Sequence, residues 1–139
     1  MEVLNNNFFP LLAGHLIADF WLQPYSWVVH KKENGFRSSQ LILHAGLAAI
    51  LPVLFTFQLN LWWFVPVIFV THLLIDFFKS KMADNIAAFI FDQLLHVAIL
   101  FVLAQFFAEV TIAAGITKFW IIIAGFVTIT NPLGIFIGK

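Results

Sequence analysis

The chain has 139 residues, of which 62% are hydrophobic, 17% aromatic and 10% charged, with a mean hydropathy of +0.97. A soluble domain carries roughly a quarter charged residues, so this composition points to lipid as the surrounding solvent. Zero net charge gives no case for nucleic acid or a polybasic membrane footprint, and the absence of cysteine excludes disulfides, thiolate metal ligands and a cysteine nucleophile.

Met1 to Asn7 carries Glu2 and three asparagines where a signal peptide would carry basic residues, so the first apolar stretch is read as a retained span. Five apolar stretches follow, at about residues 8–23, 41–58, 61–78, 93–115 and 119–137. A helix needs ~20 residues to cross a bilayer. The expectation is an all-α polytopic transmembrane bundle of about five spans, forming one domain over residues 1–139. Pro10 suits the first turn of span one and Pro24 closes it. Tyr25, Trp27, Trp62, Trp63 and Trp120 fall near span ends, where amphipathic rings collect at headgroups.

Residues 30–40 read as a polar turn with a tight reversal at Asn34-Gly35, and His30 as a solvated loop residue. Residues 82–92 place Met82, Ile86, Phe89 and Ile90 at helical spacing, which fits either a helix lying in the interface or an extension of span four. Lys31, Lys32 and Arg37 follow span one, and Lys79 and Lys81 follow span three. By the positive-inside tendency both loops are cytoplasmic and the N-terminus lies outside. Lys118 alone falls on the other side.

A phrase then occurs twice. His15-Leu-Ile-Ala-Asp19-Phe20 in span one returns 57 residues later as His72-Leu-Leu-Ile-Asp76-Phe77 in span three. Each is followed by a polar opening to the next span, Gln40-Leu-Ile-Leu-His44 and Asp92-Gln93-Leu-Leu-His96. The repeat thus covers a helix pair, about 8–58 and 61–115, ahead of the fifth span at about 119–137. Copies that run the same way should superpose about an axis near the membrane normal, bringing His15 onto His72, Asp19 onto Asp76 and His44 onto His96.

Ionisable residues inside a span are costly, so His15, Asp19, His44, His72, Asp76, Asp92 and His96 mark a functional site facing the bundle interior. Imidazole nitrogens with carboxylate oxygens and no thiolate suit zinc, manganese or iron. Those seven are the candidate ligands of a divalent transition metal, zinc or manganese. Gln23, Lys79 and Gln93 are candidate second-layer or substrate-orienting groups, with Lys79 free to snorkel or pair with Asp76. Two half-sites could hold two ions around a bridging water, an arrangement suited to hydrolysis. Helix-packing hydrogen bonds and a proton or ion relay are the other readings of the same residues, and Glu109 is the one candidate to continue a relay. Nothing matches a phosphate loop, a dinucleotide fingerprint or a nucleophile elbow.

HLIADF with Gln23, His44 opening span two, HLLIDF with Lys79, and Asp92-Gln93 before His96 together resemble, over essentially the whole chain, the bacterial membrane proteins grouped as domain of unknown function 3307. The resemblance implies a multi-pass protein of the bacterial inner membrane. It also implies a chain that continues past the segment ending at Lys139 by one or two helices. A more distant likeness is to membrane-bound metal-dependent hydrolases, although their His-Arg-Gly type motif is missing. The expected function is metal-dependent hydrolysis of a lipid or amphiphilic substrate at the cytoplasmic leaflet. A small ion- or proton-coupled transporter and a structural or partner-binding subunit are the alternatives, and the expected partners are membrane lipid and a second copy of the chain.

Overall fold

A computed structural model describes residues 7–107 and 114–130. The expectations for Glu2, for Glu109 and for the segment after residue 130 lie outside the described residues. All regular structure among those residues is helical, in six α-helices: α1 Phe8–Phe20, α2 Tyr25–Asn34, α3 Ser39–Phe55, α4 Phe64–Ser80, α5 Ile86–Phe107 and α6 Ala114–Thr130.

The breaks follow from local chemistry. Gln23 precedes Pro24, whose extended backbone (ψ 151°) starts α2 in a new direction. Gly35 ends α2 at φ 55°, ψ −131°, a conformation essentially confined to glycine. A 3₁₀ turn, Gly35–Arg37, leads to Ser38, whose Oγ accepts from Leu41 N at 3.1 Å and caps α3. Asn85 caps α5 in the same way, accepting from Ala88 N at 2.9 Å.

Two expectations change here. Residues 30–34, the start of the expected polar turn, belong instead to a helix over 25–34, because Trp27, Val28 and Val29 carry apolar character into a segment read by its charges. The reversal itself does fall at Asn34-Gly35. Residues 86–92 are the first turns of α5, so the extension of span four is the correct reading of that segment.

Four helices form a ring in which α1 and α4 each pack on both α3 and α5. Neighbours run antiparallel. Phe8 meets Phe101 while Asp19 meets Gln93, and the backbone beside Gly14 meets Pro52 while Asp19 meets His44. The two copies of the repeated phrase therefore run parallel on diagonal helices. At one end the ring is filled by Leu11, Val53, Phe64, Ile68, Leu100 and Leu103. At the other end the filling is polar. There α2 crosses over, tied to the α4–α5 turn by Lys32 and Asp84 at 3.4 Å, and the 3₁₀ turn that follows it stacks Phe36 on Phe77 of α4. Helix α6 lies outside the ring on α1, and Trp120 stacks at 4.7 Å on Phe55. Trp120 is thus buried, not an exposed interfacial anchor, whereas Tyr25 and Trp62 are exposed.

By length and apolarity, one described helix, Ile86–Phe106, suffices to cross a membrane, and Tyr25–Arg37 with Ser39–Phe55 passes only as a pair bent by 105°. Helix α1, with 13 residues, is about 20 Å long at 1.5 Å per residue.

Candidate metal centre

The i, i+4 spacing of His15 with Asp19, His72 with Asp76 and Asp92 with His96 puts each pair on one helix face, and all three faces turn into the ring. His44 joins them from α3. All seven side chains are buried. The four imidazoles lie against one another, with ring centroids 4.9 Å apart for His44 and His72, 4.0 Å for His72 and His96, and 5.0 Å for His15 and His96.

The two copies reproduce one another's contacts. His44 Nε2 stands 3.2 Å from Asp19 Oδ1, and its counterpart His96 Nε2 stands 3.3 Å from Asp76 Oδ1. The i, i+4 pairs match as well, at 3.6 Å for His15 and Asp19 and 3.7 Å for His72 and Asp76. The copies are joined by His72 Nε2, 3.0 Å from His44 Nε2 and 3.5 Å from Asp19 Oδ1.

Three groups of donors could each hold an ion: Asp19, His44 and His72; Asp76, Asp92 and His96; and His15, His72 and His96. In the first the three atoms are 3.0, 3.2 and 3.5 Å apart. Ligands at 2.0–2.1 Å from a tetrahedral zinc ion stand about 3.3–3.4 Å from each other, so this triangle has the size of a ligand set. In the second, His96 Nε2 is 3.3 and 3.4 Å from carboxylate oxygens of Asp76 and Asp92. Yet Asp19 Oδ1, Asp92 Oδ1 and His96 Nε2 have no hydrogen-bond partner among the described residues. Buried polar atoms are normally bonded, and atoms this close without bonding geometry suit a cation between them.

The surrounding amides orient the donors. Gln93 Nε2 donates to Asp19 Oδ2 at 3.0 Å and to Asp92 Oδ2 at 3.1 Å, while its carbonyl accepts from His15 Nε2 at 3.3 Å. His15 Nε2 is thereby engaged by an amide, while His44 and His72 share a hydrogen bond between their Nε2 atoms. Gln23 donates to the Asp19 carbonyl at 3.3 Å and accepts from Lys31 Nζ. Lys31 donates to Asp76 Oδ2 at 2.6 Å, so the cation beside Asp76 is Lys31 and the half-buried Lys79 does not fill that role.

Lys31 is the site residue that loop assignment concealed. Once 25–34 is a helix, its phase sends Lys31 inward and Lys32 outward, and that helix was the missing signal. His30 is likewise half-buried and not solvated, because its Nδ1 lies 2.8 Å from Ser38 Oγ, which fastens α2 to the cap of α3.

A family model described as "Protein of unknown function (DUF3307)" matches residues 7–123. The chain belongs to that family. The match takes in the whole ring, so the cluster lies within the part shared with the family. No curated protein and no solved structure matches it. The chemistry of this DUF3307 protein therefore has to be argued from the cluster. Each triad could supply three protein donors, and a tetrahedral ion held by three would have a fourth position free for water or substrate, as catalytic zinc sites do.

Proposed function

We propose that this protein is a multi-pass membrane protein that binds a divalent transition metal, zinc or manganese, between its helices and uses it to hydrolyse a lipid or amphiphilic substrate at the cytoplasmic leaflet. One observation carries the metal: Asp19 Oδ1, His44 Nε2 and His72 Nε2 form a triangle of ligand-set size in the buried interior, with Asp19 Oδ1 left unbonded. Three donors and an open position favour a reactive water over a purely structural ion.

The distribution of polarity supports the membrane. Leu43, Ile50, Val70, Leu74, Leu94 and Ile122 are exposed on the helices, while three aspartates, four histidines and a lysine are buried, the reverse of a water-soluble bundle. Lys31, Lys32, Arg37, Lys79 and Lys81 lie at the α2 end, which the positive-inside tendency makes cytoplasmic. A transport relay is less well supported because, among the described residues, the ring next to the histidines is filled by Leu11, Phe64, Ile68 and Leu100 and the ring helices carry no ionisable side chain beyond them.

The test is metal content after gentle detergent extraction. Stoichiometric zinc or manganese is expected, falling below a tenth in His44→Ala and His72→Ala. A wild-type protein that carries neither metal, and gains no thermal stability when either is added, refutes the reading. Hydrolysis is then assayed as release of headgroup or fatty acid from phosphatidylglycerol and phosphatidylethanolamine vesicles. For the membrane, a cysteine at exposed Asn34 should resist an impermeant reagent in intact cells and one at exposed Leu59 should react.

A further inference from the structure

We propose that Lys31 is a built-in second cation of the cluster, limiting it to one divalent ion, held by Asp19, His44 and His72, where two could otherwise bind. The proposal rests on the metal reading above and concerns how many ions the centre takes.

The two halves are not equally furnished. Aligning His44 with His96 puts Leu41 at the place of Gln93 and Gln40 at the place of Asp92. Asp19 thus has Gln93 across the ring to donate to its Oδ2. The residue at the corresponding place, Leu41, is apolar and buried and offers Asp76 no donor, and Asp76 Oδ2 is taken instead by the Lys31 ammonium at 2.6 Å. The second half also has one carboxylate more, Asp92. An extra anion and an extra cation have both been added to the same half of a duplicated frame.

Charge then decides occupancy. Asp19, Asp76, Asp92 and Lys31 are all buried, and three carboxylates with one ammonium leave a formal −2 when the four imidazoles are neutral. One divalent ion neutralises that set, whereas a second would leave two uncompensated positive charges, or one if a hydroxide bridged the pair, in a medium that penalises each by several kcal/mol. Geometry agrees. The ammonium sits on Asp76 Oδ2, 3.5 Å from His44 Nε2, while Asp76 Oδ1 is the oxygen 3.3 Å from His96 Nε2, so a positive charge already stands on the carboxylate that links the two triads and opposes the entry of a second ion. Lys31 is fixed there by α2, which Pro24 and Gly35 bound and the His30 to Ser38 contact fastens. Without the ammonium, two divalent ions and one bridging hydroxide would balance the three carboxylates.

The experiment is titration of the metal-free, detergent-purified full chain with zinc, with bound zinc counted per chain by mass spectrometry. Wild type and Lys31→Arg are expected to saturate at about one ion, and Lys31→Met and Lys31→Gln at about two. The glutamine keeps a hydrogen-bonding group toward Asp76 where methionine does not. Wild-type saturation at two ions overturns the proposal by itself, whatever the variants do. Saturation of a monodisperse neutral variant at one ion overturns it as well. Wild-type binding of no ion defeats the metal reading instead, so the two failures are distinguishable.

Discussion

Gly14 is where the bundle tolerates no added atom. A Cβ built on it would stand 2.5 Å from both Cα and N of Pro52 and 2.8 Å from the Leu51 carbonyl carbon, all backbone atoms of α3. Ordinary contact is near 3.5 Å, so Gly14→Ala demands that α1 and α3 part by about 1 Å. Pro52 cannot yield locally, since its ring already replaces a helical hydrogen bond and it is buried. Overpacking of this kind costs about 1–3 kcal/mol, and the upper end is expected because the obstacle is main chain. The same parting would carry Asp19 Oδ1 from 3.2 Å to about 4 Å from His44 Nε2, outside the edge of a tetrahedral ligand set. Gly46 and Gly125 serve as controls, because a Cβ on either meets nothing within 4 Å. At those sites alanine is expected to be neutral or to stabilise the helix by up to ~1 kcal/mol. Thermal unfolding in detergent, with metal content measured on the folded fraction, reads both effects. A Gly14→Ala protein as stable and as metal-loaded as Gly46→Ala would refute the close approach of α1 and α3.

Asp76→Asn should destabilise by about 3–5 kcal/mol by leaving the buried Lys31 ammonium unpaired, and Lys31→Met added to it should recover part of that loss in the same unfolding assay. Lys32→Ala, one residue on, removes an exposed ion pair with Asp84 and should change stability by under ~1 kcal/mol, which a chemical unfolding curve will show. Gly35→Ala should cost about 1–3 kcal/mol, from a backbone conformation that L-residues avoid and from crowding against Phe77. Because that strain falls on the segment placing Lys31, faster proteolysis within 25–37 is the companion measurement.

What could be read from the sequence, and what could not, follows from the range of the interactions. The site was legible because an ionisable pair at i, i+4 in an apolar run has one economical destination, the bundle interior, and the run was written twice. The positions of His15, Asp19, His44, His72, Asp76, Asp92 and His96 follow from that rule alone. Lys31 did not, because its burial depends on the phase of a ten-residue helix whose polar residues read as loop. Lys79 continues the face of Asp76 on its own helix, which left it free to snorkel or to pair with that carboxylate, and the pairing is made instead by Lys31 arriving from α2. Gln93 was legible as polar, and only the ring shows that it bridges two carboxylates and a histidine.

The departures from symmetry bear most directly on function. A duplicated helix pair used only for packing would be expected to keep equivalent hydrogen bonds at equivalent places, as the His44 to Asp19 and His96 to Asp76 contacts do. Here the equivalence stops at the carboxylates' outer oxygens, with an amide on Asp19 and an ammonium on Asp76. An amide orients a carboxylate while leaving its charge intact, whereas an ammonium neutralises it. The same donor geometry therefore presents two different potentials to an incoming cation. By formal charge the two sides are alike, −1 for Asp19 and −1 for Asp76, Asp92 and Lys31 together, so what differs is the arrangement: a single carboxylate on one side, and on the other two carboxylates with an ammonium bonded to one of them. Packing alone does not require such asymmetry, and the proposed metal chemistry would use it.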